Sequence, residues 1–306
     1  VNKYVEKALA EKLQNTIVVD IVQDIISASH PYSAITVPNL AAAAGVMHTN
    51  PKIVWVPDDP RLGIYQEDLA NGVFLFEERP ANNRDDVPSF NRSKEIVNTA
   101  AVVKETQNHH NHKVDQNSVV RARLFDILIN DWDRHDDQWR WATTKEGKNT
   151  IYRPIPRDRD QVYFINNGIV IWIASRNWAM RKLQGFDYTT KDVIGLGYNA
   201  RYFDRSFITE PGLHDWVSIA TDIKNNVTDS VIETSIKTLP ENVYAKSGLE
   251  IENKLKSRRD LLPQRAEEYY RFLSKNVDIV GTNDRELFDV VRQDNGNTKV
   301  TIYELS

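Results

Sequence analysis

Hydrophobic spacing at the start of the chain is helical. In residues 15–30 apolar side chains recur every three to four positions, which predicts an amphipathic helix that ends before Pro31. A second short helix is predicted in "VPNLAAAAGV", with Pro38 near its start and Gly45 at its end. Two helices are therefore expected within the first fifty residues.

After the second helix, the spacing of hydrophobic residues shortens to the two-residue period of strands. The stretches "KIVWVPDD" (52–59), "GIYQED" (63–68) and "GVFLFEERP" (72–80) are predicted strands, separated by Asp-Pro and Asn-Gly turn signals. Together with the preceding helices they predict a small α+β lobe over residues 1–80 that contains an antiparallel hairpin.

Residues 81–113 are polar, and we expect a flexible connection that carries one short helix. A long helix is predicted at about 115–130, where the apolar positions Val120, Leu124, Ile127 and Leu128 face a core. This helix opens a larger, mainly helical lobe that is predicted to span residues 114–275.

Two strands and a terminal hairpin complete the predicted plan. "TIYRPIP" (150–156) and "QVYFINNGIVIWIA" (161–174) have strand character, and the rest to about residue 275 is helical in pattern. Residues 276–306 predict a C-terminal β-hairpin extension closed by the Asn295-Gly296 turn. The expected fold class is therefore α+β, with a small mixed lobe and a larger helical one.

Composition excludes several classes of function. The 306 residues are 41% hydrophobic and 27% charged, as in ordinary globular proteins, and the net charge of −4 argues against binding to nucleic acid. The absence of cysteine excludes thiol catalysis, Cys-ligated zinc and disulfides. No apolar stretch is long enough to span a membrane. The chain begins with Val1, which suggests a processed product or a fragment.

Two acidic stretches hold the candidate chemistry. "INDWDRHDDQWRWA" (129–142) follows the long helix, and "PIPRDRD" (154–160) follows a predicted strand. Phosphoryl transfer needs an aspartate near the attacking hydroxyl and oxygen ligands for magnesium. The spacing Asp133-x-x-x-x-Gln138, followed by Asp158 and Asp160, supplies these groups in the order that protein kinases use.

At these residues the chain resembles known kinase families. "NDWDRHDDQWRW" and "IPRDRDQVYF" are similar to the paired motifs of the spore-coat CotH-like kinases and, more distantly, of the secretory-pathway casein kinases. The hairpin "KIVWVPDDPRLGIYQEDLANGVFLFEERP" also resembles the small-lobe hairpin of CotH-like proteins.

A closer resemblance covers most of the chain. "DIVQDIISASHPY", "HTNPKIVWVPDDPRLG" and "ARLFDILINDWDRHDDQWRWA" resemble a domain that lies between a metallophosphoesterase and an outer-membrane β-barrel in large bacterial surface proteins. The resemblances imply a two-lobed protein-kinase-like fold that transfers phosphoryl groups from ATP, with Mg or Mn, to an unknown acceptor. They also imply a periplasmic or cell-surface location beside other domains of the same polypeptide.

The resemblance assigns a role to each acidic position. Asp133 would be the catalytic aspartate, and Gln138 would occupy the place of the metal-binding asparagine. Asp158 would be the principal magnesium ligand with Asp160 beside it, although "DRD" leaves their register open.

The resemblance also requires a lysine on the nucleotide phosphates and an acidic partner for it. Lys3 is the candidate by position, and Asp24 on the first helix or Glu77 on the hairpin would be its partner. No glycine-rich phosphate loop is visible in the sequence.

Two other functions remain open. A non-catalytic pseudokinase-like module that binds a ligand or docks neighbouring domains is favoured by Gln138, by the missing glycine loop and by the terminal position of Lys3. A metal-dependent phosphohydrolase could use His135 and Asp136 as a metal dyad, but it leaves "PIPRDRD" unexplained.

Structural roles are the simpler expectation for the remaining polar and aromatic residues. The other three aspartates of the first motif are expected to cap helices or face solvent, its tryptophans to pack in a core, and the histidines of "NHHNHK" to lie in a solvated linker. These residues are Asp131, Asp136 and Asp137; Trp132, Trp139 and Trp141; and His109, His110 and His112.

Overall fold

The computed structural model describes residues 29–164, 181–294 and 296–305, and in them the chain is a mixed α+β protein with three small sheets. The predicted helix over 15–30 lies almost wholly outside these residues, as do Lys3 and Asp24. The strands are β1 (Lys52–Val56), β2 (Gly72–Phe76), β3 (Glu95–Asn98), β4 (His112–Val114), β5 (Trp139–Glu146), β6 (Asn149–Pro156), β7 (Glu286–Arg292) and β8 (Thr298–Glu304).

Helices dominate the second half of the described chain, as predicted. A π-helical turn, Tyr244–Gly248, joins the last two of them. The α-helices are α1 (Val37–Ala43), α2 (Gln66–Leu69), α3 (Thr99–Asn108), α4 (Gln116–Ile129), α5 (Val193–Leu196), α6 (Arg201–Phe207), α7 (Leu213–Asn226), α8 (Asp229–Ile236), α9 (Glu241–Val243) and α10 (Leu249–Leu273).

A four-stranded sheet in the order β3-β5-β6-β4 lies next to the acidic motifs. Strands β5 and β6 form an antiparallel hairpin whose tight turn places Gly147 at φ 60°, a conformation that favours glycine. Strand β4 adds to β6 in parallel, and β3 adds to β5 antiparallel. Strand β3 lies within the polar region 81–113, and β4 begins at its end. The prediction of one short helix there is confirmed by α3, but it missed both strands.

The small hairpin was predicted correctly only at its two ends. Strands β1 and β2 pair antiparallel, but "GIYQED" between them is helical, in a 3₁₀ segment Pro60–Tyr65 followed by α2. The Asp59 side chain accepts a hydrogen bond from the backbone N–H of Arg61 at 2.8 Å and starts this helical turn. The predicted strand at 63–68 was therefore wrong, because a capping aspartate followed by proline favours a helix start.

The second misplaced strand is "QVYFINNGIVIWIA". Its first residues form a turn in which Tyr163 has φ 56°, so the strand predicted to begin at Gln161 was wrong there. Residues 165–174 lie outside the described part of the chain.

Helix α4 is a largely buried helix that directly precedes the first acidic motif. Asp115 caps its start by accepting from the N–H of Ser118 at 3.0 Å. Every residue from Ala122 to Asn130 is buried, and the four predicted core positions are among those at 0–2% exposure. Helix α10 packs against α4 and α7, which brings the buried Arg258 to the end of α4.

The C-terminal hairpin was predicted correctly. Phe288 pairs with Ile302 and Val290 with Val300, in register with a turn that places Gly296 at φ 87°. None of the helices in the described residues combines the length and apolar character that crossing a membrane requires.

Candidate functional site

The first acidic motif begins where α4 is sharply ended. Asn130 has φ 61°, a left-handed conformation that asparagine tolerates at a helix end. Its side chain donates to the carbonyl of Gln184 at 3.0 Å and accepts from Arg258 at 3.2 Å. Arg258 also donates to the carbonyls of Ile127 and Leu128 at 2.5 and 2.8 Å. A buried cation thus satisfies the negative end of the helix dipole and fixes the start of the loop.

A buried cluster of charged side chains lies behind this loop. The buried cluster consists of three arginines and three aspartates, all at most 5% exposed: Arg123, Arg134, Arg159, Asp126, Asp131 and Asp204.

The contacts of the buried cluster are short and mutual. Arg123 donates to Asp126 at 2.6 Å and to Asp204 at 2.8 Å. Arg159 donates to Asp126 at 2.5 Å and to Asp131 at 2.9 Å. Formal charge balances within the cluster, which is the condition under which buried ions are tolerated. The cluster ties α4, both acidic stretches and α6 together.

Asp131 belongs to this cluster, so the prediction that it caps a helix or faces solvent was wrong. Burial raises its pKa to about 6, with further upward contributions from Asp126 and Asp160 and opposition from Arg134 and Arg159. Asp136 and Asp137 are exposed, as predicted, at the start of the 3₁₀ turn Asp136–Gln138.

The three tryptophans of the first motif are buried, which confirms their predicted packing role. Trp139 stacks on Phe203 of α6 with ring centroids 4.3 Å apart, and Trp141 contacts Phe207 at 4.8 Å. Trp132 meets Phe164 edge to face at 6.0 Å. These contacts fix the backbone on both sides of Asp133.

Asp133 itself is half-buried and differs from every other acid in the motif. Its Oδ1 accepts a hydrogen bond from Asn199 Nδ2 at 2.8 Å, and Asn199 Oδ1 accepts from Lys182 Nζ at 3.0 Å. Lys182 lies 4.8 Å from the ring centre of Trp132. Burial lowers the pKa of Lys182, while the negative charge of Asp133 opposes that shift. Asp133 is thus a positioned carboxylate that retains access to solvent.

Asn199 and Lys182 were missed in the sequence. No local pattern in the sequence links position 199 to position 133. The link is tertiary, so spacing along the chain carries no signal for it.

Gln138 has a different neighbourhood from the one its predicted metal role requires. It is 2% exposed, and its side-chain oxygen accepts from Arg134 Nη1 at 2.7 Å. The same Nη1 donates to the carbonyl of Arg157 at 2.8 Å. In this arrangement Gln138 joins the first acidic loop to the second, and its oxygen is already used as an acceptor.

The two aspartates of the second acidic stretch lie in different surroundings. Asp158 is exposed, has φ 58°, and donates its backbone N–H to Glu77 Oε1 at 3.2 Å. Asp160 is half-buried and close enough to Asp131 to raise the pKa of that carboxyl. Asp158 therefore faces the small hairpin, whereas Asp160 faces the buried cluster.

Glu77 accordingly meets Asp158, while its predicted partner Lys3 lies outside the described residues. Burial raises the pKa of Glu77; the hydrogen bond from Asp158 opposes this shift, and the Asp158 charge adds to it. Two carboxylates thus come together at the point where β2 and β6 end. Within the described ranges, no group of three or more His, Asp or Glu side chains is arranged to hold a metal ion.

The histidines of "NHHNHK" are more ordered than predicted. His110 lies between two carboxylates, with Nδ1 3.1 Å from Asp284 and Nε2 3.2 Å from Glu304. His112 Nδ1 is 2.7 Å from the hydroxyl of Tyr152. The solvated-linker prediction was wrong for these two, because His112 lies in strand β4 and His110 contacts Glu304 of β8.

Comparison with family models, with curated proteins and with solved structures finds no match for this chain. Functional inference therefore depends on the geometry described above and on the resemblance of its motifs.

Proposed function

We propose that the chain is an atypical kinase-like domain that transfers a phosphoryl group from ATP, with Mg or Mn, to an acceptor hydroxyl. The observation that carries this proposal is the position of Asp133. It is the half-buried acid of its motif, it follows a helix that is buried from Ala122 to its end, and Asn199 orients it. A catalytic aspartate needs this combination of fixed geometry and access to the acceptor.

The order of elements supports the same reading. The chain runs from helix α4 through the Asp133 loop and the β5–β6 hairpin to Asp158. Asp158 and Glu77 are the carboxylates that would hold the metal ion, which when bound would neutralise charge on the phosphates. We assign Gln138 a structural part in this arrangement. The two-lobed kinase-like architecture, and a periplasmic or cell-surface setting beside other domains, belong to this proposal.

A second candidate is a non-catalytic module that binds a nucleotide or docks neighbouring domains. Its support is the hydrogen bond that Arg134 donates to the side-chain oxygen of Gln138, because this bond occupies one of the expected metal ligands. A site that binds a nucleotide without turnover requires only the phosphate and metal contacts.

Transfer of labelled γ-phosphate from ATP to water or to the protein itself distinguishes the two. We expect Asp133→Asn to lower the rate by roughly a hundredfold or more while leaving binding of Mg-ATP intact. The matched control is Asp136→Asn, an exposed acid of the same loop, which should retain the wild-type rate. Wild-type binding of Mg-ATP without transfer to water, to the protein or to an added hydroxyl acceptor would instead favour the second candidate.

A further inference from the structure

Three arginines meet where the small hairpin, β5 and the second acidic stretch come together. The arginine face consists of Arg79, Arg140 and Arg157. Burial lowers the pKa of Arg140, and the positive charges of Arg157 and Arg79 lower it further. Repulsion of this kind requires the guanidiniums to be close.

Backbone geometry places the three side chains together independently of that repulsion. The N–H of Arg157 donates to the carbonyl of Gln138 at 3.1 Å, which extends the β5–β6 ladder and sets Arg157 near Arg140. The contact between Asp158 and Glu77 brings in the exit of β2, and Arg79 is two residues beyond Glu77.

Among the described residues, Arg140 and Arg157 donate to backbone carbonyls, and none of the three arginines forms an ion pair with a carboxylate. Arg140 donates to the carbonyl of Trp139 at 2.9 Å, and Arg157 donates to the carbonyl of Asp137 at 3.4 Å. The Nε of Arg157 is buried and has no hydrogen-bond partner in the described part of the chain. Arg79 is exposed. With respect to the described residues, most of the donors on the arginine face therefore remain for an anion, and one buried donor lacks an acceptor.

Carboxylates border the arginine face on one side. Asp158 directly follows Arg157 in the chain and donates its N–H to Glu77, and Arg157 itself donates to the backbone carbonyl of Asp137. A site with arginines and carboxylates side by side matches a metal-bound polyphosphate: guanidiniums pair with phosphate oxygens, and carboxylates bind the cation. A simple monoanion would neutralise only one of the three positive charges.

We propose that Arg79, Arg140 and Arg157 bind the polyphosphate group of a nucleotide, in place of the predicted lysine. That the ligand is a nucleotide rests on the proposed function, but polyphosphate binding itself requires no transfer. Arginine suits this task because its planar fork offers two parallel hydrogen bonds to a phosphate.

Calorimetric titration of the whole chain with inorganic tripolyphosphate, with and without Mg²⁺, tests the proposal. Arg140→Gln and Arg157→Gln should each weaken binding about tenfold, since each removes a charge-assisted hydrogen bond. Arg79→Gln should weaken it by a smaller factor, and because Arg79 is exposed this variant keeps the test valid if either of the others fails to fold. Arg140→Lys should recover part of the loss.

The matched control is Arg271→Gln, an exposed arginine of α10 that pairs with Glu267 at 2.6 Å. It should bind tripolyphosphate as tightly as the wild type. Equal affinity in all folded arginine-face variants and in the control would overturn the proposal, as would wild-type protein that binds no tripolyphosphate. If the variants lose binding while the wild type transfers no phosphate, the arginine face stands and the proposed transfer fails. If the wild type transfers phosphate and the arginine-face variants have the same KM for ATP as the wild type, the proposed transfer stands and the arginine face fails.

Discussion

The buried cluster and the arginine face both contain three arginines, but the surroundings of these arginines differ. Neighbouring residues of one short stretch serve both: Arg159 is 5% exposed and donates to two aspartates, while Arg157 is half-buried and donates to a backbone carbonyl. In the buried cluster each arginine lies against at least one aspartate. On the arginine face the nearest cations repel one another.

Burial and pairing, not residue type, distinguish a charge that holds the structure together from a charge that remains accessible to a ligand. A buried ion pair adds little net stability compared with an apolar pair, but it fixes the arrangement of the elements that it joins. The buried cluster therefore acts as a frame that holds the Asp133 loop. An unpaired and accessible set of cations has the opposite property, since it gains when an anion arrives.

The largest effect that this comparison predicts is on stability. Arg123→Met removes one cationic partner from both Asp126 and Asp204 inside the protein, and we expect it to lower the free energy of unfolding by about 3–5 kcal/mol. Urea unfolding followed by circular dichroism measures the change. The control, Arg271→Met on the surface of α10, should cost about 0.5 kcal/mol or less. Similar losses of stability in both variants would show that the buried cluster does not hold the surrounding elements together.

Much of the fold could be predicted from the sequence where elements are long and their pattern is regular. Helix α4 and the C-terminal hairpin are examples, and the apolar positions of α4 are buried as expected. Strands β3 and β4, of four and three residues, are too short for alternation to show. Strand β5 was missed because its first residues belong to the acidic motif, whose charges hide the strand pattern.

The candidate site was less predictable because its contacts join distant segments. The sequence singled out Asp133 and Asp158, but Asn199 and the pairing of Asp158 with Glu77 depend on tertiary structure. Asp131 and Gln138 look as polar as their exposed neighbours, and only the arginines around them explain their burial. Counting charges in a motif cannot show which of them face inward.

A smaller effect concerns the pH dependence of the buried cluster. The pKa of Asp131 is raised to about 6, whereas an unfolded aspartate titrates near 4. The folded protein then binds this proton more tightly, so its contribution to stability is present below about pH 4 and is lost as the pH rises through about 6. Relative to Asp131→Asn, the wild type should therefore gain about 1–2 kcal/mol between pH 8 and pH 5.

Urea unfolding of both proteins across this pH range measures that gain. Groups outside the buried cluster titrate alike in both proteins and cancel in the difference. The exposed control Asp136→Asn should differ from the wild type by the same amount at every pH. A constant difference for Asp131→Asn as well would mean that the aspartate stays ionised in its arginine frame.

The smallest predicted effect belongs to the arginine face and has the opposite sign. Arg79→Gln removes one of three mutually repelling cations and no ion pair among the described residues, so stability should stay the same or rise by about a few tenths of a kcal/mol. Because the face is open to solvent, the gain should shrink when salt rises from about 0.01 to 0.3 M, whereas the loss in Arg123→Met should barely change. Urea unfolding at the two salt concentrations tests both statements. A salt-independent loss in Arg79→Gln would place this arginine in a structural role and remove the contrast between the two clusters.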